Sequence, residues 1–297
     1  MRVPSGKLVK AGRAGVLALL VFGCATRRPA PVVFMSDFGT TDDSVAICKG
    51  VMLGIEPRLR IVDLTHEVPP FSVRDGARLL AGTAPYYPSG TVFVAVVDPG
   101  VGGPRNAMVV ASGRGQYFVL PDNGLVTLVA ARDGVREARE ITNPAWMAGA
   151  ARSSTFHGRD VFAPVAAHLA RGDDWTGVGP RLADVVRFEP AAARVGEAGV
   201  AGEVIAVDGP YGNLITNVAG DDFRKLGWAV GDAVAVKVAG HDFLLPFADT
   251  FGDVPVGRPL LYVDSRGRIA IAINQGNFAK TYRVEPPAPL AIPRKRR

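Results

Sequence analysis

Between Pro31 and about Leu182, short apolar runs rich in β-branched residues alternate with segments of helical spacing, and that order narrows the possible folds more than any other feature. The run 32–35 is apolar without a break, as suits a strand buried on both faces. A helix is expected at 44–54, ending before Pro57. Strands follow at 60–64 and 91–97, with a helix at 72–82 between them. Runs 107–112 and 116–120 flank Gly113-Arg114-Gly115, which signals a hairpin. Further helices are expected at 125–132 and 159–170. A β-α-β-α-β order of this kind specifies an α/β layered domain with a largely parallel sheet.

At 187–199 the composition shifts to Ala, Pro and Gly. Beyond it come short strands with close turns, at 203–207, 214–218, 233–238, 260–263 and 269–273, and helical periodicity is scarce. That pattern predicts a small all-β, barrel-like domain. The expected organisation is an α/β domain at 30–190, the barrel-like domain at 200–290, and a basic tail at 291–297, of which Arg294 to Arg297 should be solvated and frayed. No internal repeat is present.

The net charge of +6 misleads until it is located. Arg2, Lys7, Lys10 and Arg13 precede an apolar stretch at 14–22, and Arg294 to Arg297 end the chain. What lies between carries 26 cations against 28 acids, so no phosphate-tracking surface is expected and nucleic acid is not a partner. Residues 1–24 read as a signal peptide: the apolar stretch is too short to span a bilayer but fits a signal core. Leu20-Val21-Phe22-Gly23-Cys24 resembles a bacterial lipobox, with Cys24 as the candidate lipidation site. The expectation is an exported protein, periplasmic or lipid-anchored in a bacterial envelope. An uncleaved anchor, or an upstream start codon before a cytosolic protein, fits the same residues. Cys48 is expected to be a buried small hydrophobe.

Ligands of open α/β sheets bind beyond the carboxyl ends of the strands. Two Asp- and Gly-rich loops hold that position, Ser36 to Asp43 and Asp98 to Arg105. Asp37 follows its strand directly, where a carboxylate can accept two hydrogen bonds from a sugar diol. Asp42 and Asp43 open a helix, where acids serve as caps as readily as ligands. Asp98 and Arg105 lie seven residues apart across a turn that can fold back, either as a structural bridge or as a pair orienting a small nucleophile. His157 sits in Ser153-Ser154-Thr155-Phe156-His157-Gly158-Arg159-Asp160, at a helix start where an imidazole can face a ligand. His168, within a helix, and His241, in a β turn, read as structural, and His66 fits either role. In the second domain, Asp208 to Asn217 combine a carboxylate, the Tyr211 ring and two amides, in what could equally be a hairpin turn. Asp264-Ser265-Arg266-Gly267-Arg268 is likewise a good turn, with Arg266 suited to a free carboxylate. No His or Cys cluster has zinc spacing, and neither a Gly-x-Ser-x-Gly elbow nor a phosphate loop occurs.

Taken in order, Ser-Asp-Phe-Gly, Asp-Leu-Thr-His, Asp-Pro-Gly-Val-Gly, Pro-Asp-Asn-Gly, Ser-Thr-Phe-His-Gly-Arg-Asp and Asp-x-x-Tyr-Gly-Asn-x-x-Thr-Asn resemble the S-adenosyl-L-methionine hydroxide adenosyltransferases, relatives of the fluorinase and chlorinase. The likeness runs from about Pro31 to Lys280. It implies hydrolysis of S-adenosylmethionine to adenosine and L-methionine without a cofactor, in a homotrimer whose active sites lie between neighbouring subunits. The family's water-activating triad falls on Asp98, Arg105 and His157. Asp37 matches the ribose ligand, Asp208 the ligand of the methionine amine and Asn213 an adenine contact. Ser265 and Arg266 match the receivers of the methionine carboxylate, and Phe71 and Tyr211 stand where the halogenases present aromatics to the nucleoside. Halogenases carry Tyr at the position of Asp98, and the fluorinase has Ser at that of Gly158, so both differences favour water over halide. Ile273 replaces a fluorinase Arg.

Two other readings fit parts of the sequence. Asp37, Asp42 and Asp43 are similar to the Asp-rich strand end of calcium-dependent nucleoside hydrolases, with the spacing off by one. A non-catalytic exported nucleoside-binding lipoprotein would account for the N-terminus without catalysis.

Overall fold

A computed structural model describes Met1 and residues 28–148 and 153–296. Apart from Met1, the leader read at 1–24 lies outside the described residues, and Cys24 with it. Among those described, no helix is long and apolar enough to cross a membrane.

The first half of the chain winds one mixed sheet. In order come β1 (Val32–Ser36), α1 (Ser44–Ile55), β2 (Ile61–Thr65), α2 (Val73–Thr83), β3 (Val92–Val96), β4 (Ala107–Ser112), β5 (Tyr117–Pro121), α3 (Thr127–Asp133) and β6 (Val135–Glu140). A π-helical turn at Gly158–Phe162 then leads into α4 (Ala163–Arg171). The strands lie in the order β2-β1-β3-β5-β4-β6. Neighbours are parallel from β2 to β5, whereas β4 pairs antiparallel with both β5 and β6.

Side-chain alternation divides the interior into two cores. Val32, Phe34, Val92, Val94 and Val96 pack on one face against Cys48 and Met52 of α1 and the Ala- and Val-rich side of α4. Val33, Met35, Phe93 and Ala95 pack on the other against Leu80 of α2 and Val129 of α3. Successive residues of a strand point to opposite faces, so an unbroken apolar run requires cover on both sides, and the helices supply it. Cys48 is fully buried, which pushes its thiol up to about 12.

The second half is antiparallel. It comprises β7 (Arg194–Val195), β8 (Gly199–Asp208), β9 (Asn213–Ala219), α5 (Gly220–Arg224), β10 (Ala233–Val238), β11 (His241–Pro246), β12 (Pro259–Val263), β13 (Arg268–Ile273), α6 (Phe278–Tyr282) and β14 (Ala288–Pro293). The order β11-β10-β14-β8-β9-β13-β12 curls until its ends approach, where Phe247 bridges Leu261 and the Ala248 N–H donates to the Leu261 carbonyl at 2.9 Å. The result is a nearly closed barrel. Phe223 of α5 and Phe278 of α6, both fully buried, complete the packing of its interior.

Two expectations need correction. The tail is not frayed at its start: β14 runs into it, the Arg294 N–H donates to the Ala198 carbonyl at 2.9 Å, and Lys295 pairs with Asp232 at 2.6 Å. His241 does not sit in a turn but opens β11, after the two-residue turn Ala239-Gly240, in which both residues have positive φ.

Candidate active site

The sheet order places β1 between β2 and β3, so the chain leaves β1 toward one side and later returns on the other. In open α/β sheets the crevice beyond such a reversal is where ligands bind. Ser36 is the register partner of Val96, and the Asp37 N–H donates to the Val96 carbonyl at 3.3 Å. Asp37 and Asp98 therefore follow adjacent strand ends at that crevice.

Asp98, Arg105 and His157 meet there. Arg105 Nε donates to Asp98 Oδ1 at 2.9 Å, and Arg105 Nη2 donates to Asp98 Oδ2, which makes the pair bidentate. The same Nη2 lies 2.8 Å from His157 Nδ1. A guanidinium only donates, so Nδ1 accepts and the imidazole proton sits on Nε2. The Asp98 and Arg105 side chains are 5% and 11% exposed. Fork geometry at such depth makes this an ordered ion pair, unlike an exposed surface pair. The Phe162 ring lies beneath the guanidinium, 5.4 Å from its carbon.

The loop between Asp98 and Arg105 folds back as its glycines permit. Gly102 has φ +75°, and a Cβ there would meet the Ser154 carbonyl oxygen at 2.5 Å. That close approach brings the Asp98 loop against the segment carrying His157. Gly158, next along, also has a packing role: a Cβ would stand 2.9 Å from the Phe38 ring. Phe38 in turn packs edge-on against Phe156 at 5.9 Å.

Asp37 accepts the Phe71 N–H on Oδ2 at 2.9 Å. Phe71 has φ +66° and is 73% exposed. A bulky residue in the left-handed region is strained, and such strain collects at ligand sites. Asp42 accepts the Ser44 N–H at 2.9 Å, the capping alternative for that acid. Among the described residues, no three His, Cys, Asp or Glu side chains converge as a metal cage.

Asp208, Tyr211, Asn213, Ser265 and Arg266 form a separate group. They line a cleft of about 1510 Å³ that Leu64, Thr65 and Arg78 of the α/β half also line. Asp208 ends β8 and Asn213 opens β9 as register partners, with Asn213 Nδ2 3.5 Å from Asp208 Oδ2. Tyr211 is 66% exposed, whereas Asn213 is buried. Ser265 and Arg266 sit on the tip of the β12–β13 hairpin, shaped by Asp264 accepting the Arg266 and Arg268 N–H groups. Asp37, Phe71, Asp98, Arg105 and His157 are not among the residues lining this cleft. One chain thus carries two groups of predicted site residues, and only the second lines this cleft. The second amide of the barrel motif is structural: Asn217 accepts the Glu203 N–H and donates to the Ala191 carbonyl.

Three supporting residues escaped the sequence reading. Asn123, in the Pro-Asp-Asn-Gly motif, donates to the Val97 carbonyl at 2.9 Å and so fixes the residue before Asp98. Its neighbour Asp122 accepts the Val186 N–H. Tyr262 lines the cleft, and burial, with Asp208 and Asp264 nearby, pushes its phenol up to about 12. For Asn123 the motif was the available signal. Tyr262 carried none, lying in an ordinary strand.

The SAM hydroxide adenosyltransferase N-terminal domain matches residues 32–179, and the corresponding C-terminal domain matches 202–291. A protein of Salinispora arenicola named (R)-S-adenosyl-L-methionine hydrolase is 43% identical over 258 residues, covering 86% of this chain and 94% of that one. A hydrolase of the same name from Thermus thermophilus is 42% identical, covering 83% and 93%. A fluorinase of Actinopolyspora mzabensis is 35% identical, covering 86% and 94%. An uncharacterized conserved protein of Thermotoga maritima, known from its crystal structure, superposes with a TM-score of 0.84 at 41% identity, over 88% of this chain and 99% of that one. With both domain types matched in order, and an α/β sheet followed by a barrel, the chain belongs to the SAM hydroxide adenosyltransferase family.

Proposed function

We propose that this protein hydrolyses S-adenosyl-L-methionine to adenosine and L-methionine. The observation that carries the reading is the bidentate Asp98–Arg105 pair with His157 on the same guanidinium, beside Asp37 at the sheet crevice. The C5′–O bond forms as the C5′–S bond breaks, and the bonding pair leaves with the thioether sulfur of methionine. Sulfonium departs readily, so what the protein must supply is an aimed nucleophile. Holding water about 3–3.5 Å from C5′ removes much of the entropic barrier. Arg105 is a permanent cation and favours hydroxide character. Asp98 keeps lone pairs beyond those given to Arg105, can hold the water by accepting its O–H, and is the anion placed to take the proton lost. His157, with Nδ1 committed to Arg105, aims its ring as an orienting group and not as the base.

Asp37 is assigned to the ribose hydroxyls, Phe71 and Tyr211 to the faces of the nucleoside, and Asn213 to adenine. Asp208 is assigned to the methionine amine, and Ser265 and Arg266 to its carboxylate. Because one chain holds these as two separate groups, the reading includes a homotrimer in which the α/β group of one subunit meets the barrel group of its neighbour. Incubating the protein with S-adenosylmethionine and separating the nucleosides by chromatography tests the reaction, with chloride or fluoride added in parallel. Adenosine is the expected product under all three conditions. Adenine as the purine product would mean glycosidic cleavage, and 5′-halo-5′-deoxyadenosine in excess would make the protein a halogenase.

A further inference from the structure

We propose that His66 and Ser36 are positioning residues that hold the Asp37 carboxylate in its ligand-binding place through a hydrogen-bonded chain anchored on Asp63 and Lys49. The inference rests on Asp37 as the ribose ligand.

The chain crosses three elements. Lys49 Nζ on α1 donates to Asp63 Oδ2 on β2 at 2.6 Å. Asp63 Oδ1 lies 3.1 Å from His66 Nε2, and His66 Nδ1 lies 2.7 Å from Ser36 Oγ at the end of β1. Ser36 Oγ accepts the Phe38 N–H at 3.4 Å. Its protons run in one direction. Burial opposes the Asp63 charge, but the bonds from Lys49 and His66 outweigh it and hold the carboxyl below its ordinary range. A carboxylate accepts, so Nε2 carries an imidazole proton, and in the neutral ring Nδ1 presents its lone pair to the Ser36 O–H. The Ser36 lone pairs are left to face the Phe38 N–H.

Asp37 lies between the ends of this chain. Ser36 precedes it, Phe38 follows it, and the Gly39 N–H donates to the His66 carbonyl at 2.8 Å. Beside the Asp37 bonds with the Val96 carbonyl and the Phe71 N–H, the two N–H groups that follow Asp37 are held by Ser36 and His66, while the Phe38 ring packs on Phe156 and Thr40 donates to Glu67. The composition imitates a hydrolase Ser-His-Asp triad, but Ser36 is fully buried and His66 is 5% exposed, packed edge-on against Phe34 at 4.7 Å. No substrate atom reaches such a hydroxyl, so the chain orients a loop and performs no attack. Sites of this kind depend on supporting hydrogen bonds to hold the groups that touch the ligand.

The test uses the full chain with Ser36→Ala, His66→Phe, His66→Asn and Asp37→Asn. It measures adenosine affinity by calorimetry, KM and kcat with S-adenosylmethionine, and thermal unfolding. Ser36→Ala and His66→Phe should weaken adenosine binding and raise KM about tenfold, equivalent to about 1.4 kcal/mol, with kcat within a few-fold of the parent. His66→Asn keeps an acceptor toward Ser36 and should recover most of the affinity that His66→Phe loses. If Asp37→Asn loses adenosine while Ser36→Ala and His66→Phe bind it like the parent, whatever their unfolding temperature, the positioning role is overturned and the ribose assignment stands. Parental adenosine affinity in Asp37→Asn would overturn the ribose assignment itself. Should His66→Phe not fold, Ser36→Ala decides, since it removes one oxygen from the interior.

Discussion

A single guanidinium serves two partners at Arg105, and that sharing sets what substitutions there can report. Removing one member of a buried ion pair leaves the other unpaired, at a cost of about 3–5 kcal/mol. Arg105→Lys is therefore more informative than Arg105→Ala, because it keeps the charge of Asp98 matched and loses only the fork. Arg105→Lys and His157→Ala should each lower turnover by about 10²–10⁴ while adenosine affinity stays near the parent value, as befits groups that act on the nucleophile. Asp37→Ala should instead weaken adenosine binding by about 1.5–3 kcal/mol, the usual worth of hydrogen bonds to a charged group. Calorimetry beside single-turnover assays separates the two behaviours, and adenosine binding lost in folded His157→Ala would make that residue a substrate ligand. The sequence made Asp98 and Arg105 legible as a pair because seven residues of Gly-rich turn can close on themselves. His157 lies 52 residues from Arg105, and no local rule connects them; its loop at a helix start marks it as able to face a ligand, but its pairing with Arg105 is implied by the resemblance alone. Asn213 and Tyr211 were legible as members of one turn, but burial of the first and exposure of the second depend on the fold around them.

Elements were legible where packing imposes a period. The β1 and β3 runs alternate between two covered faces, and their boundaries agree with the apolar pattern to within a residue or two. What escaped was shaped by context. β6 reads Val-Arg-Glu-Ala-Arg-Glu, an edge strand whose Glu137 and Arg139 pair with each other, and β14 carries Pro289 and Pro293 although it lies between β10 and β8. Those prolines still offer carbonyls, to the Ala239 N–H and to Trp228 Nε1, so the positions need no donor of their own. The helical spacing at 159–170 predicts plain helix, since periodicity does not reveal the turn widened by one residue at Gly158–Phe162. Its Asp160 is buried, and hydrogen bonds from Arg159 and then the Ser153 N–H hold its carboxyl below the ordinary range. A group depressed in the folded state stabilises above its unfolded pKa, about 3.9, and the contribution fades as pH falls through that region. Urea unfolding of the parent and Asp160→Asn should therefore show a stability gap that is full at pH 7 and 5 and narrows at pH 3. A gap unchanged down to pH 3 would mean that this carboxylate is not held by its neighbours.

At the scale of the whole molecule, the unusual fact is that the residues assigned to one reaction occupy two places. Asp98, Arg105, His157 and Asp37 gather beyond the sheet, while Asp208, Asn213, Ser265 and Arg266 line the cleft of about 1510 Å³ beside the barrel. Arg266 even lies against the α/β half of its own chain, since a Cβ at Gly82 of α2 would stand 3.2 Å from its Cζ. A closed ring with head-to-tail contacts would bring each first group to a neighbour's second group, because every subunit offers one of each. This arrangement predicts complementation between inactive chains. Arg105→Lys disables the first group and Arg266→Ala the second, so each variant alone should show almost no turnover. Unfolding the two together and refolding them as a mixture produces mixed rings. A site is intact wherever the α/β half comes from the Arg266→Ala chain and the barrel half from the Arg105→Lys chain. With random assortment, about a quarter of the sites in such a closed ring are intact, so turnover should return to about a quarter of the parent value. If both groups of a site came from the same chain, every site in the mixture would keep one defect and no turnover would return. Light scattering on the parent, reading three chains per particle or not, fixes the ring size independently of that outcome.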